Sequence, residues 1–261
     1  MPDFLDICDQ AARSGGRALL DWIGRHDVRE KGPSDLVTEA DLASEEAVRK
    51  VIFKAFPEHH LISEERDTGH DLLAEYCWIV DPLDGTTNYV HQMPHYAVSV
   101  ALAQRGQPIV GVVYDPVHDE CFAARRGQGA TLNGQQIRVS GVKQLSDALV
   151  AASFAAKVDI HSAEVAQFLA ALEQCQAVRR TGSAALNLCY LAAGRFDVFW
   201  ALSTKAWDVA AGALLVEEAG GMITHHEGAP FGLTRPCPLA SATAELHMAF
   251  LELMRNAPGH G

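Results

Sequence analysis

Five acids in this sequence each end an apolar run or open a helical one: Asp41, Glu64, Asp81, Asp84 and Asp208. The most concentrated pair lies in Trp78-Ile79-Val80-Asp81-Pro82-Leu83-Asp84-Gly85-Thr86-Thr87-Asn88, where a β-prone run delivers two carboxylates three residues apart. Pro82 has no N–H to give to a sheet, so the strand is expected to end there. Gly85 to Asn88 read as a turn into a helix N-terminus, whose amides can face an anion. Carboxylates and amides on one turn suit a cation and a phosphate bound side by side. A capped turn with solvated acids accounts for this stretch equally well by itself. Asp208 could likewise cap its own helix, and Glu64-Glu65 could be a solvated pair.

Histidine and cysteine add nothing to this set. His91 and His95 are separated by Pro94, which breaks a shared helical face, so structural roles are expected. His59-His60 and His225-His226 read as surface loops. The six cysteines are scattered without a Cys-x-x-Cys pair, as for free thiols in a reducing cytoplasm. An all-oxygen set of acids points to a hard ion, Mg²⁺ or Mn²⁺. No Gly-x-Ser-x-Gly elbow, Walker loop or Gly-x-Gly-x-x-Gly follows a strand.

The elements that must position these acids follow from periodicity. Helices are expected over 4–23, 42–56, 161–174, 183–193, 207–219 and 244–256. Strands are expected over 78–80, 96–103, 109–114, 120–124, 130–132, 137–139, 149–154, 178–180, 198–200, 221–224 and 239–242, with a short approach at 61–65. Asn133-Gly134 is a hairpin signal, Gly32-Pro33-Ser34-Asp35 breaks the chain, and 66–71 reads as a loop. The fold class is therefore α+β: an antiparallel-sheet N-terminal half with two long helices over 1–143, and an α/β half over 144–261. The chain boundary falls near 140–146.

At 261 residues, with 48% apolar and 21% charged residues, the chain has the composition of a globular protein. Its formal charge of −12 leaves no basic surplus for a phosphodiester backbone, so no nucleic-acid partner is expected. A small anionic substrate stays open, because divalent cations invert the sign of an acidic pocket. The N-terminus lacks a basic start and apolar run, and no apolar stretch reaches the ~18–20 residues that span a bilayer, so a cytoplasmic protein without membrane contact is expected.

Three blocks resemble the inositol monophosphatase family of lithium-sensitive, Mg²⁺-dependent sugar phosphatases. They are Ile62-Ser63-Glu64-Glu65, the stretch Asp81 to Asn88 with Leu83 where Ile is usual, and Trp207-Asp208-Val209-Ala210-Ala211-Gly212 followed by Glu218-Ala219-Gly220-Gly221. Asp35-Leu36-Val37-Thr38-Glu39-Ala40-Asp41 and Asn133-Gly134 fall in the matching order, so the resemblance covers nearly the whole chain. It implies a layered αβαβα sandwich and a homodimer. It implies that Glu64, Asp81 and the Leu83 carbonyl hold one Mg²⁺, that Asp81, Asp84 and Asp208 hold a second, and that Glu64 touches a third, hydrated ion. Gly85 and Thr86 amides would bind phosphate. Thr86, linked to Asp41 and assisted by Glu64, would orient metal-activated water for direct hydrolysis of a small polyol or sugar phosphate without a phosphoenzyme. Gly182, Ser183 and Ala184 would meet the sugar hydroxyls. Two departures bear on the substrate: Ala201 stands where the family's inositol enzymes place a ring-binding Glu, and Lys205 precedes the last signature. Histidinol phosphate, fructose 1,6-bisphosphate and adenosine 3′,5′-bisphosphate are the alternatives, along with a catalytically weak regulatory relative.

Overall fold

A computed structural model of the chain describes residues 2–24, 28–32, 35–66, 71–155 and 157–257. Helix α1 (Phe4–Trp22) starts at Asp3, whose carboxylate accepts the Leu5 and Asp6 amides, and is followed by Gly24 at φ +72°. Strands β1 (Val28–Gly32) and β2 (Asp35–Thr38) pair antiparallel and lead into α2 (Glu39–Ala55). This hairpin was not foreseen, because Arg29, Glu30 and Lys31 show no apolar alternation. Helix α2 begins three residues before the expected Leu42, at a capping box in which Thr38 and Asp41 satisfy each other's amides.

Seven strands form the first sheet, with β3 (His60–Ser63), β4 (Cys77–Asp84), β5 (Ala97–Gln104), β6 (Gln107–Asp115), β7 (Glu120–Arg125), β8 (Ala130–Leu132) and β9 (Gln135–Gln136) adjacent in that order. Only β3–β4 is parallel; the remaining pairs are antiparallel. The hairpin at Asn133-Gly134 forms as expected, but its second strand lies at 135–136 rather than 137–139. A five-stranded sheet follows, in the order β11 (Ala177–Arg179), β10 (Leu149–Ser153), β12 (Val198–Ala201), β14 (Pro238–Ser241), β13 (Met222–His225). Helix α3 (Thr86–Val90) is short, while α4 (Ala163–Gln174), α5 (Ala184–Ala192), α6 (Ala206–Glu218) and α7 (Ala244–Asn256) match expected helices.

Three apolar clusters define five layers, an αβαβα sandwich. Helices α1 and α2 cover one face of the first sheet through Leu19, Val48, Trp78 and Val100. Helices α5 and α6 fill the space between the two sheets, joining Ile79, Val113 and Phe122 to Leu188, Leu214 and Phe199. Helices α4 and α7 close the far face around Trp200, Leu246 and Phe250. Helix α6 lies on the first sheet at backbone contact: a Cβ on Gly111 would sit 2.9 Å from Ala211 Cα. The small residues of the Ala210-Ala211-Gly212-Ala213 run allow that approach, and it carries Asp208 to the C-terminal end of β4.

The five buried cysteines and the half-buried Cys237 are all free thiols. Two histidine expectations are corrected. His59 does lie in the turn between α2 and β3, but it is no surface residue: its ring stacks between Phe56 and Tyr76 at 4.7 and 4.9 Å, and its Nδ1 accepts the Trp78 indole N–H at 3.2 Å, while His60 opens β3. His225 ends β13 and is buried, with 4% of its surface exposed. The polar stretch 66–71 lies mostly outside the described residues.

Candidate active site

Strand β4 does not end at Pro82. Asp81 pairs with Ser99 and Asp84 with Ala97, three steps on β4 against two on β5, so the chain forms a bulge through Pro82 and Leu83. Proline is tolerated there because the extra residue gives no ladder hydrogen bond. A spacing of three would send Asp81 and Asp84 to opposite faces of a regular strand. The bulge instead brings both to one cavity, with Leu83 N–H donating to Asp81 Oδ1 at 3.0 Å.

Three further elements converge on it. Parallel pairing of β3 with β4 sets Ser63 beside Val80, and Glu64 N–H donates to the Val80 carbonyl, so Glu64 emerges next to Asp81. Asp208 stands in the first turn of α6 and accepts the Lys205 amide at 2.8 Å, capping its own helix while also lining the cavity. Ser99 Oγ ties β5 to that helix through the Trp207 carbonyl. Gly85, at φ +99°, begins α3 in the left-handed region, and a Cβ there would meet the His95 carbonyl at 3.1 Å.

The cavity encloses about 470 Å³ and is lined by Glu64, Asp81, Leu83, Asp84, Gly85, Thr86, Gly182, Ala184 and Asp208 among others. Thr86 Oγ1 lies 3.2 Å from the Leu83 carbonyl and 3.4 Å from Asp41 Oδ1. The Thr86–Asp41 contact is thus long, whereas the Thr38 hydroxyl donates to Asp41 Oδ2 at 2.6 Å. Ser183 does not line the cavity: it is fully buried, and its hydroxyl donates to Asp84 Oδ2. The amides of Ala184 and Ala185 donate to the same carboxylate at 3.3 and 2.8 Å. Ala201 is also fully buried and does not line the cavity, although its neighbour on β10, Ser153, does.

Asn88 and Arg180 are among the wall residues to which sequence reasoning gave no role. Asn88 Nδ2 donates to the carbonyls of His95 and Thr181 at 2.7 and 2.8 Å, fastening the first signature to the loop before α5. Arg180 is the one cation among the described residues lining the cavity, with its guanidinium 5.3 Å from the centre of the Phe154 ring. Tertiary proximity alone brings these groups together, and no local pattern announces it.

The electrostatics are those of crowded, dehydrated acids. Burial pushes Asp81 well above the usual carboxylate range, and repulsion from Glu64, Asp84 and Asp208 adds to it. Asp208 is raised to about 8 by burial and then by Asp84 and Glu64, against the Lys205 amide and charge. Asp84 reaches only about 6, because Ser183 and the amides of Ala185 and Ala184 offset its burial. Four carboxylates on one cavity, two of them deeply buried, fit a hard divalent cation, whose charge offsets their repulsion.

A family model described as the inositol monophosphatase family matches residues 4–258. The chain belongs to the inositol monophosphatase family. Inositol monophosphatase 2 of Solanum lycopersicum is 40% identical over 266 residues, covering 98% of this chain and 100% of that one. A Pseudomonas aeruginosa relative named Nus factor SuhB is 43% identical over 236 residues, 87% of each chain. Among solved structures, the inositol monophosphatase from Anabaena superposes with a TM-score of 0.87 at 38% identity, over 98% of this chain and 96% of that one. The SuhB protein of Bartonella henselae superposes with a TM-score of 0.89 at 34% identity, over 96% and 98%. The family is one of phosphatases, generally metal-dependent, and both the fold and the resemblance drawn from the acid blocks agree with it. Net charge averages over the whole surface, so the value of −12 does not by itself exclude a nucleic-acid partner. Among the described residues, no helix is long and apolar enough to cross a membrane.

Proposed function

We propose that the protein hydrolyses the phosphate monoester of a small polyol or sugar, of the inositol 1-phosphate type, in a Mg²⁺-dependent reaction. The observation that carries this reading is the meeting of Glu64, Asp81, Asp84 and Asp208 on one cavity beside the turn at Gly85 and Thr86. Glu64, Asp81, Asp84, Asp208 and the Leu83 carbonyl would hold two to three Mg²⁺ ions, or Mn²⁺. Bound there, such ions supply positive charge to the phosphate oxygens and acidify water. The protein's own groups do the rest. Gly85 and Thr86 amides orient the phosphate, and the Thr86 hydroxyl, backed by Asp41, fixes the direction of the attacking water with Glu64 receiving its proton. Gly182 and Ala184 face the substrate's hydroxyls. Ser183 acts through Asp84, whose carboxylate it holds in place. Water attacks directly and no phosphoenzyme forms, as suits a loose phosphoryl-transfer transition state. Inhibition by Li⁺, a homodimer and a cytoplasmic location complete the reading by analogy with the family.

A second reading rests on relatives named Nus factor SuhB: a regulatory role on the same fold. One assay separates the two. Mg²⁺-dependent phosphate release is measured on inositol 1-phosphate, histidinol phosphate, fructose 1,6-bisphosphate and adenosine 3′,5′-bisphosphate. Turnover of one ester, abolished by EDTA, supports the phosphatase. Failure on all four moves the assignment to the regulatory role.

A further inference from the structure

The turn after β13 gathers His225, His226 and Glu227, and none of the three lines the catalytic cavity. Successive residues of a strand point to opposite faces, so two neighbouring histidines are normally kept apart. Here the chain reverses: Gly228 N–H donates to the His225 carbonyl at 2.7 Å, and His225 N–H to the Ala229 carbonyl at 2.8 Å. Gly228, at φ +90°, makes that reversal possible. The two imidazole rings end 4.3 Å apart, centre to centre, tilted by 34°. One donor atom from each of the three side chains lies within 4.8 Å of the others.

The closest pair is informative. His225 Nδ1 is 3.3 Å from Glu227 Oε2 and also 3.3 Å from the Glu227 amide nitrogen. The amide can bond only to an unprotonated Nδ1, so that nitrogen carries a lone pair that an ion can take over from the amide proton, with a carboxylate oxygen beside it. Two ligands about 2.1 Å from one ion at a tetrahedral angle stand roughly 3.4 Å apart. The spacing is therefore that of a chelate, which a cation fills by taking the place of the amide proton on Nδ1.

We infer that His225, His226 and Glu227 form a second metal site, for a borderline transition-metal ion such as Zn²⁺. Two imidazoles and one carboxylate select such an ion over Mg²⁺, unlike the all-oxygen acids of the cavity. Three protein ligands leave a fourth position to water. The site is partly pre-built: His225 is 4% exposed, and Arg255 donates to the Glu227 carbonyl at 3.2 Å, holding the turn. Two guanidinium groups near the turn oppose the ion, Arg255 on the Glu227 carbonyl and Arg235 on its carboxylate. The Arg235 guanidinium lies 3.5 Å from Glu227 Oε2, but its side chain is 71% exposed and free to swing into water.

The test is a titration of the full-length protein with Zn²⁺ alone as probe, in excess Mg²⁺ to saturate the cavity acids. Wild type is expected to take up one Zn²⁺ per chain and to melt at a higher temperature with it. His226→Ala and Glu227→Gln each remove one ligand, so binding weakens at least ten-fold and the rise in melting temperature disappears. Arg235→Ala removes one competing charge and tightens binding. A melting temperature without Zn²⁺ within a few degrees of wild type shows that a variant is folded. Co²⁺ in place of Zn²⁺ should give the strong visible bands of a four-coordinate nitrogen-containing site in wild type only. Equal Zn²⁺ affinity in wild type, His226→Ala and Glu227→Gln, or no binding to wild type, overturns the assignment.

Discussion

The amide of Ala185 donates to Asp84 Oδ2 at 2.8 Å, joining the first turn of α5 to the bulge of β4 across 101 positions of sequence. With Ser183 and Ala184 it makes Asp84 a bound anion of that helix as well as a candidate ion ligand. Asp208 has no such set of donors; the Lys205 amide alone is shared with its cap.

The two acids should therefore behave differently when neutralised. Asp84→Asn and Asp208→Asn are both expected to lose about 10²-fold or more of the Mg²⁺-dependent turnover. In EDTA, Asp208→Asn should melt no lower than wild type, since an asparagine oxygen still accepts the Lys205 amide and the repulsion is gone. Asp84→Asn turns an NH₂ group toward donors and should melt lower. Equal melting of the two variants in EDTA would show that the α5 contacts contribute nothing.

The raised carboxylates give the metal-free protein a defined pH response. Asp208 is raised from an ordinary 3.8 to about 8. A raised folded value favours the fold while the group is protonated in it, and that advantage is lost as pH rises toward 8. Relative to wild type, Asp208→Asn in EDTA should gain nothing near pH 4 and most near pH 8, on the order of a few kcal/mol. Melting curves at both values decide this, and a gain independent of pH would contradict it.

Ser63 precedes Glu64, and its hydroxyl donates at 2.6 Å to Glu45 Oε1, a fully buried carboxylate on α2. Arg66 and Arg49 approach Glu45 only at 3.6 and 3.8 Å. Ser63→Ala leaves the buried acid without its closest donor, at a cost of about 1–3 kcal/mol. Denaturant unfolding should show that loss, and the Mg²⁺ concentration for half-maximal turnover should rise because Glu64 is less firmly placed. Ser63→Thr should restore both.

Ala201→Glu tests the substrate. Ala201 does not line the cavity but its strand partner Ser153 does. A Glu long enough to reach past Ser153 would add a charged hydrogen bond to a ring hydroxyl, worth about 1.5–3 kcal/mol, and favour inositol 1-phosphate over the other three esters by roughly ten-fold or more relative to wild type. Because Ala201 is fully buried on β12, the variant's melting temperature must be followed alongside. A wild type already a hundred-fold selective for inositol 1-phosphate, with KM unchanged in the variant, would refute the specificity argument.

What the sequence revealed was what short stretches encode. The turn around Asp81 and Asp84, the first-turn acid of α6 and the Asn133-Gly134 hairpin each follow from residues within a few positions of one another. The bulge at Pro82 escaped because proline stops a regular ladder, and only the mismatch with β5 shows that an irregular one continues. Ser183 was assigned to the substrate because a serine at a helix start gives no sign of a carboxylate a hundred residues earlier. Arg180 and Asn88 gain their places from the packing of β10, α3 and α5. His59 and His225 were both read as surface residues because histidine is ambiguous: it stacks in cores as readily as it sits in water.

Helices α5 and α6 lie between the two sheets, so the inner face of the first sheet is covered by residues encoded well after it. Ile79, Val113 and Phe122 meet Leu188 and Leu214, which leave the ribosome only after most of a further hundred residues have been added. At ~5–20 residues per second, that is a delay of roughly 5–20 s in which a finished meander carries an uncovered apolar face. The nascent first half is thus a natural client for a chaperone, and a chain released before α6 is made would be a sticky fragment.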